Sequence, residues 1–564
     1  MIGSKANTPR PQRNWLCIAY AFPPIQRSGV HRTLGFVRHL SKRGWNATVL
    51  TVEPGDEPID EDSWKLVPDS VDVIRTPWHD LIAQTKRLLR MGSDPTIEDP
   101  STSKNDVSAP RVARPSARLH KRFRDWVSRL MTIPDSRLGW YWPACRAGKS
   151  ILQSRRYDVI YSTSPYMTAH LIARRLSRRF GIPWVADFRD PWRDNPFREL
   201  PFSSLNRWDA FLERRVLTQA DYIVCNTPTM RARLCERLPF VAEKSTVIMN
   251  GFDRDRLVDV TPNRPGPVSE FILTHAGQFY GRRSPIPLFR ALRRAMESQS
   301  TTGRRIRLTL IGPDQYDGVS LKQLARMEGV ENHVTIIGPK PHREALSLLA
   351  GSDAVLLLGS SGPGSDLQVP NKLFEYLALR RPILAVVAPT NPSVNVLDAA
   401  QADAIVCDPQ HPDSLTDALA RLMHSSILCS TRPLWRPLMN RGISRGNRHA
   451  TSENRGAPLS ANCQAPLPSP LPKGGPRGVL RATETASPIA VPEPGTNNQP
   501  PPNGTWRGVH QFDRTHRAFE LAAVFDMVTQ TPPRAAMARG IECHPTVNLE
   551  RNELVSGRIL AGES

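Results

Sequence analysis

Cysteines are few in this chain of 564 residues, and none lies in a Cys-x-x-Cys pair. The eight cysteines are scattered at positions 17, 145, 225, 235, 407, 429, 463 and 543. Structural zinc sites and the disulfide frameworks of small secreted proteins depend on close, regular cysteine spacing. The pattern therefore argues against both kinds of site and is typical of a reducing compartment.

Long hydrophobic runs are also missing. No apolar stretch approaches the roughly 18 residues that indicate a membrane-spanning helix. The polar N-terminal residues 1–14 lack the apolar centre of a secretory signal peptide. We therefore expect a cytoplasmic protein without a transmembrane helix.

Two widespread cofactor signatures are absent. The first predicted strand is not followed by Gly-x-Gly-x-x-Gly, so a hydride-transfer function with a dinucleotide loses its main support. The fourteen histidines form no His-Glu-x-x-His pattern. We expect neither a metal nor a bound cofactor.

Acidic residues are outnumbered by basic ones. The chain has 53 Asp and Glu against 75 Lys and Arg, a formal net charge of +22. Such a balance favours anionic partners, namely nucleotides, anionic lipids or nucleic acids, and does not choose among them.

Short apolar runs alternate with helical patterns in two successive series. The predicted strands are Trp15–Ala21, Ala47–Val52, Asp158–Ser162, Trp184–Phe188 and Asp221–Cys225 in the first series, and Phe271–Ala276, Ile306–Ile311, Val334–Ile337, Ala354–Leu358 and Ile383–Val387 in the second. Strands alternating with helices predict parallel sheets covered on both faces. The predicted fold class is α/β, with two Rossmann-like domains facing across a cleft.

Composition sets the domain boundaries. We predict a first domain at 15–260, with a mobile Ser-, Pro- and Arg-rich insertion at about 92–117, and a second domain at 268–424. Residues 425–510 contain 14 prolines and no apolar periodicity, which predicts disorder. Residues 511–530 form a predicted helix, and the termini, 1–14 and 531–564, are predicted to be disordered.

The most informative segment is Val369–Ala378, which lies between two predicted strands and follows a loop rich in Gly, Ser and Pro. Such a loop before a helix is where open α/β sheets bind phosphates. Lys372 and Glu375 lie one turn apart on the predicted helix and share a face, so a cation could meet a phosphate while a carboxylate accepts from ribose hydroxyls. Asn371 precedes them and is a further predicted contact. The alternative is a solvated surface ion pair.

A second predicted anion contact is the loop after the first strand. Gly29 permits close approach of the backbone, and Arg32 lies in the first turn of the next helix. Helix N-termini and arginines both favour anions. An ordinary strand-to-helix turn with a surface arginine is the alternative.

The predicted catalytic groups are Asp187, Arg189 and Asp190. They stand at the C-terminal end of the predicted strand Trp184–Phe188, the edge at which open α/β sheets bind ligands. They could orient a sugar hydroxyl or act as a general base. The alternative is a structural Arg–Asp cluster that ties a loop to the sheet.

A third basic loop opens the second domain. Gly277 and Gly281 allow a tight backbone path, and the adjacent Arg282 and Arg283 could neutralise a diphosphate. Stabilising a leaving diphosphate is the main demand of sugar transfer from a nucleotide. A basic surface loop is the alternative.

Taken together, these segments resemble the GT-B glycosyltransferases, and within them the retaining enzymes of family 4. The resemblance extends over roughly Trp15 to Leu422 and lies in the order of six motifs: YAFPPIQRSGVHR, DVIYSTSPYMTAHLIA, PWVADFRDPW, VIMNGFD, HAGQFYGRRSP and VPNKLFEYLALRRPIL. It implies an acceptor domain, a nucleotide-sugar domain, and a final helix that crosses back to the first domain, for which 511–530 is the candidate.

The resemblance also assigns individual residues. Gly29 matches the acceptor-side glycine near the donor phosphates, and Arg283 matches the basic residue that contacts the diphosphate. Glu375 matches the second glutamate of the family's E-x7-E motif, which binds ribose. The first glutamate is replaced by Leu367, and Arg189 stands where many members have histidine.

The functional hypothesis is a glycosyltransferase that moves a sugar from a nucleotide-diphosphate sugar to a glycan or lipid-linked acceptor with retention, in surface polysaccharide or glycolipid synthesis. Three alternatives stay open: a nucleotide-sugar epimerase of the same fold, an inactive scaffold, and a nucleic-acid-binding protein. Nucleic acid is not an expected partner, because Arg and Lys are spread through helices and tails. The basic stretches Arg118–Arg129 and Arg174–Arg179 suggest peripheral contact with the inner face of the plasma membrane, or merely solvated helix faces.

Overall fold

The computed structural model describes residues 13–27, 29–81, 126–127, 129–195, 202–281, 283–297, 305–359, 364–429, 506 and 508–530. The predicted insertion at 92–117, the tail at 531–564 and nearly all of the Pro-rich stretch lie outside these ranges. Arg282 lies outside them as well.

The first domain is a seven-stranded parallel sheet in the order β3-β2-β1-β4-β5-β6-β7. Its strands are β1 Arg13–Ala19, β2 Trp45–Val52, β3 Asp72–Thr76, β4 Val159–Thr163, β5 Trp184–Phe188, β6 Tyr222–Cys225 and β7 Ser245–Val247. Its helices are α1 Val30–Ser41, α2 Glu61–Trp64, α3 Tyr141–Ser154, α4 Thr168–Phe180, α5 Ser203–Gln219 and α6 Pro228–Arg237.

Strand β1 shows why this sheet is buried on both faces. Successive side chains of a strand point to opposite sides. Trp15 and Cys17 belong to one apolar cluster, and Leu16 and Ile18 belong to another on the opposite face. Continuous apolar character is therefore what a central parallel strand needs.

The second domain is a six-stranded parallel sheet in the order β10-β9-β8-β11-β12-β13. Its strands are β8 Glu270–Ala276, β9 Arg305–Ile311, β10 Val334–Ile336, β11 Ala354–Leu358, β12 Ile383–Val386 and β13 Ala404–Cys407. Its helices are α7 Ile286–Glu297, α8 Leu321–Met327, α9 His342–Ala350, α10 Lys372–Leu379, α11 Pro392–Ala399 and α12 Pro412–Cys429.

The last described helix, α13 Arg514–Gln530, packs against α1 of the first domain. Phe525 lies between Trp15 and Trp45, with ring centroids 5.4 and 5.2 Å away. Just before this helix, Phe512 packs on Phe374 of the second domain at 5.6 Å. The chain therefore crosses from the second domain to the first between residues 512 and 514.

The predicted α/β fold with two Rossmann-like domains is confirmed. Strands β5 and β11 have the predicted bounds, and the helix predicted at 511–530 begins at Arg514. Three strands, β3, β7 and β13, were not predicted. All three lie at sheet edges. Strands β3 and β7 are partly polar, and β13 is apolar but only four residues long and mostly not buried, so none shows the long apolar run of a central strand.

Several predicted boundaries fall inside regular structure. Strand β1 begins at Arg13, inside the N-terminal segment predicted to be disordered. Helix α12 continues to Cys429, beyond the boundary at 424, and a 3-10 turn spans Val509–Phe512 across the boundary at 510. Within the described part of the chain, no helix is both long enough and apolar enough to cross a membrane.

Candidate functional site

A cleft of about 510 Å³ lies where the C-terminal ends of both sheets meet. Parallel sheets expose their loops and helix N-termini at this edge. The volume is within the usual range for a small-molecule site. The residues from the first domain include Tyr20, Gly29, His31, Ser164, Tyr166, Arg189 and Asp190, and those from the second include Arg283, His342, Gln368, Asn371, Lys372 and Glu375.

Lys372 places a positive charge at the end of β8. Its Nζ donates to the carbonyl oxygen of Ala276 over 2.7 Å. Burial, together with the charge of Arg283, lowers the pKa of Lys372 to about 7. Gly277 is next to it and has a φ of +140°, and any side chain there would collide with the ammonium group. Gly277 and Lys372, which were predicted separately as donor-binding residues, are thus adjacent.

Arg283 is the second cation on this side of the cleft. Its guanidinium lies over the ring of Tyr280, 5.1 Å from the centroid, and its Nη1 donates to the Tyr280 hydroxyl over 2.9 Å. The Nε atom is buried and has no hydrogen-bond partner among the described residues. This donor can therefore serve an anion in the cleft. Its predicted neighbour, Arg282, lies outside the described residues.

Glu375 is held by histidine and arginine from other elements. His342 Nε2 donates to Glu375 Oε1 over 2.9 Å, while Arg256 donates to His342 Nδ1 over 3.1 Å and to His31 Nδ1 over 2.5 Å. These bonds fix the His342 proton on Nε2. Burial alone would raise the pKa of Glu375, but His342, Arg514 and Arg256 together outweigh burial, and the pKa lies below its ordinary value. The cleft therefore presents an ionised carboxylate.

Asn371 precedes Lys372 at the start of α10. It lines the cleft, and its side-chain Oδ1 is buried without a partner among the described residues. A buried polar atom without a partner is costly, so this acceptor is suited to a ligand donor.

The acceptor-side loop and the loop after β5 meet at Gly29 and Arg189. The Arg189 backbone N–H donates to Ser164 Oγ over 2.8 Å, and its guanidinium lies so close to Gly29 that a side chain there would displace it. The Nε atom of Arg189 is buried without a partner in the described structure. Both predicted residues are thus part of the cleft wall.

Asp190 bridges the two domains. Its Oδ1 accepts a hydrogen bond from Gln368 Nε2 over 3.0 Å. Burial raises the pKa of Asp190, although Arg189 opposes the shift. The cleft therefore contains one ionised carboxylate, Glu375, and one carboxyl group that holds its proton more readily.

The structure places Asp187 and Arg32 away from the cleft. The Arg32 guanidinium donates to Asp187 Oδ1 over 2.8 Å and to Oδ2 over 3.1 Å, and both side chains are buried. Tyr161 and Thr163 also donate to Asp187. Burial raises the pKa of Asp187, but Arg32 and these hydroxyls outweigh it, and the pKa lies below its ordinary value. Neither side chain lines the cleft, which favours a structural ion pair. The catalytic role of Asp187 and the donor-binding role of Arg32 stay predictions.

Leu367 departs from the E-x7-E pattern in structure as well as in sequence. Its side chain is only 1% exposed. Its carbonyl oxygen accepts from Thr227 Oγ1 over 2.9 Å, and that of Asp366 accepts from Thr229 Oγ1 over 2.7 Å. The segment that carries the family's first glutamate is therefore bound to the N-terminus of α6, and it offers the cleft no carboxylate at position 367.

Sequence patterns did not single out His31, His342, Gln368 or Arg256. His342 and Glu375 are 33 residues apart and in different helices. The one signal available was position, since His31 lies within the YAFPPIQRSGVHR motif. Among the described residues, no group of three or more His, Cys, Asp or Glu could hold a metal ion. The expectation of a metal-independent enzyme stays a prediction.

Two family models match the chain. Glycosyltransferase Family 4 matches residues 104–256, and Glycosyl transferases group 1 matches residues 266–432. Together these matches span more than half of the chain, one in each domain. This chain is a family 4-like, group 1 glycosyltransferase.

Several solved structures are similar to this glycosyltransferase. Sucrose-phosphate synthase from Thermosynechococcus elongatus shares 16% identity over 74% of this chain and 91% of its own, with a TM-score of 0.46. Anabaena HepE, in complex with UDP-glucose, shares 15% identity over 74% and 90%, with a TM-score of 0.43. WaaG, a glycosyltransferase involved in lipopolysaccharide biosynthesis, shares 14% over 73% and 91%, with a TM-score of 0.44. No curated protein matches the sequence.

Proposed function

We propose that this glycosyltransferase transfers a sugar from a nucleotide-diphosphate sugar to a glycan or lipid-linked acceptor, in surface polysaccharide or glycolipid synthesis. One observation carries the proposal. Lys372 and Arg283 both line the cleft, Gly277 leaves room for the Lys372 ammonium, and the ionised Glu375 stands one turn beyond Lys372. This order suits a diphosphate next to a ribose.

In this proposal the acceptor hydroxyl attacks the anomeric carbon on the face that the diphosphate leaves. The bond between that carbon and the diphosphate oxygen breaks, and the hydroxyl proton passes to the departing diphosphate. Lys372 and Arg283 stabilise the negative charge that develops on the leaving group, which is the largest demand of the reaction. No metal takes part, and retention of the anomeric configuration follows from attack on the same face.

The cleft wall of the first domain supplies the catalytic contacts in this scheme. Arg189 and Asp190 face the donor side from the end of β5, with Gly29 leaving room for the Arg189 guanidinium. Asp190 and Gln368 span the cleft and can hold sugar hydroxyls between the domains. Asp190 is proposed to form a hydrogen bond with a hydroxyl group of the acceptor or of the donor sugar.

A second candidate, nucleotide-sugar epimerisation, is favoured by one observation. The cleft contains His31, His342 and a carboxyl group with a raised pKa, Asp190, which are groups that could move a proton on a sugar ring. Transfer and epimerisation give different products from the same donor.

A thermal-shift panel of UDP-, GDP- and ADP-sugars tests the shared first step. A ligand that binds the folded state raises the melting temperature according to its affinity and concentration. We expect at least one nucleotide sugar to stabilise the protein, and Lys372→Ala to abolish that shift. If no nucleotide sugar shifts the melting temperature at millimolar concentration, the donor assignment is wrong.

A further inference from the structure

Helices α3, α4 and α5 cover one side of the first sheet and carry an unusual surface. Three of its exposed side chains are large aromatics: Trp142 is 66% exposed, Trp208 47% and Phe211 44%. Eight further exposed side chains are basic: Arg146, Lys149, Arg175, Arg178, Arg179, Arg207, Arg214 and Arg215. We call these eleven residues the aromatic–basic face.

Carboxylates are missing from the exposed surface of these three helices, all of whose residues are described. Helices α3 and α4 contain no Asp or Glu. Helix α5 has two, and both are buried: Asp209 accepts from Trp192 Nε1, and Glu213 pairs with Arg237. The helices of the second domain differ, since in α7 Arg290 pairs with Glu328 and Arg294 with Asp413.

The aromatic and basic side chains are in contact with one another. The Arg175 guanidinium lies over the Trp142 ring at 5.1 Å, and that of Arg215 lies over Phe211 at 5.2 Å. Trp208 and Phe211 are stacked, with centroids 5.4 Å apart. Indole rings and arginines together are typical of proteins that sit at the boundary between lipid headgroups and acyl chains.

Buried contacts link the aromatic–basic face to the cleft on two sides. Trp192 lies two residues after Asp190 in the sequence. Its Nε1 donates to Oδ1 of Asp209, the residue that follows Trp208, over 2.8 Å. On the other side, Trp140 packs on Tyr20 at 5.5 Å, and Tyr20 packs on Tyr166 at 4.5 Å. Tyr20 and Tyr166 line the cleft, and Trp142 is two residues beyond Trp140. The aromatics thus lie near the first-domain rim of the site.

We propose that the aromatic–basic face docks this glycosyltransferase onto an anionic lipid bilayer, with the cleft opening beside the headgroups. Charge complementarity favours this occupant, because eight cations without an exposed carboxylate match an anionic leaflet. Three exposed aromatics at the rim add the apolar contact that charge alone lacks. The inference rests on the proposed function, because it assumes sugar transfer and selects a lipid-linked molecule as the acceptor.

Vesicle sedimentation tests the proposal with the full chain, without donor or acceptor. We expect binding to vesicles of phosphatidylglycerol and phosphatidylethanolamine, weaker at high salt, and no binding to phosphatidylcholine alone. The triple variant Arg175→Glu, Arg178→Glu, Arg215→Glu should bind at least about a hundredfold more weakly, since each basic residue near the surface contributes about a factor of five. Trp142→Ala with Trp208→Ala should also weaken binding, while melting like the unchanged protein.

Two control variants test whether vesicle binding depends on the face itself, or only on positive charge and exposed aromatics anywhere on the protein. The double variant Lys322→Glu, Arg326→Glu reverses two exposed positive charges on α8. Trp64→Ala removes an exposed tryptophan outside the face. Both should bind vesicles as the unchanged protein does. The proposal is overturned if the unchanged protein fails to bind anionic vesicles at low salt, or if the face variants bind them as the unchanged protein does.

Vesicle binding and nucleotide binding are measured separately. A protein that shifts in melting temperature with a nucleotide sugar but ignores vesicles refutes the docking surface alone. One that binds vesicles but no nucleotide refutes the donor assignment alone.

Discussion

The ammonium group of Lys372 donates to the carbonyl oxygen of Ala276 over 2.7 Å, and this bond holds a cation from α10 at the end of β8. Because burial and the charge of Arg283 lower its pKa to about 7, Lys372 titrates near neutral pH in the free protein. A diphosphate would favour the charged form. Proton uptake should therefore accompany nucleotide binding.

We predict that the affinity for UDP falls as the pH rises from 7 to 8.5. The free protein loses the Lys372 proton in this range, whereas the complex keeps it, so the affinity decreases by up to about tenfold per pH unit. Calorimetry in buffers of different ionisation enthalpy measures the proton taken up. Lys372→Arg keeps its charge throughout and is the control, since it reports the titration of the phosphate alone. Equal pH profiles for the two proteins would exclude this role for Lys372.

Substitution of Glu375 should affect ribose recognition selectively. Glu375→Ala removes charge-assisted hydrogen bonds and is expected to weaken UDP binding by about 1.5–3 kcal/mol. The same variant should bind inorganic pyrophosphate as well as the unchanged protein does, because Lys372 and Arg283 remain. Calorimetric titration with both ligands checks the difference. An equal loss for UDP and pyrophosphate, or no loss for either, would contradict the ribose assignment.

The ion pair of Asp187 and Arg32 should matter for stability. Asp187→Ala leaves the buried Arg32 guanidinium without its carboxylate, and removing one partner of such a pair costs about 3–5 kcal/mol of unfolding free energy. Urea denaturation measures this cost. Asp190→Asn, in the cleft, is the control and should change the unfolding free energy little while reducing transfer. A stable Asp187→Ala protein without activity would instead restore Asp187 as a catalytic residue.

Restoring the family's first glutamate should not improve this protein. Leu367→Glu would bury a carboxylate where Leu367 is now enclosed, at an expected cost of about 2–4 kcal/mol at neutral pH. Leu367→Met, which conserves volume, should cost less than about 1.5 kcal/mol. Urea denaturation and UDP titration of both variants check this. A stable Leu367→Glu protein with tighter donor binding would show that the position faces the donor.

The features that depend on local sequence pattern, namely the central strands and one wall of the cleft, were predictable from the sequence. Continuous apolar runs located the central strands, and the glycine-rich loop before Lys372 located one wall of the cleft. Burial of charged groups was not predictable, because Arg32 and Asp187 are 155 residues apart and look like surface residues in isolation. The same holds for the bond between His342 and Glu375, which depends on how α9 and α10 pack. Edge strands such as β3 were missed because one side of them is exposed.

Transfer of a labelled sugar tests the central claim most directly. The protein is incubated with a radiolabelled nucleotide sugar that stabilises it, together with anionic vesicles containing extracted lipid-linked glycans, and Lys372→Ala is run alongside. We expect label in a lipid-extractable or polymeric product and an equal amount of released nucleoside diphosphate, and neither product with Lys372→Ala. Label that stays on the nucleotide, as the unchanged or the epimerised sugar, while the nucleotide sugar binds in the cleft, would contradict it.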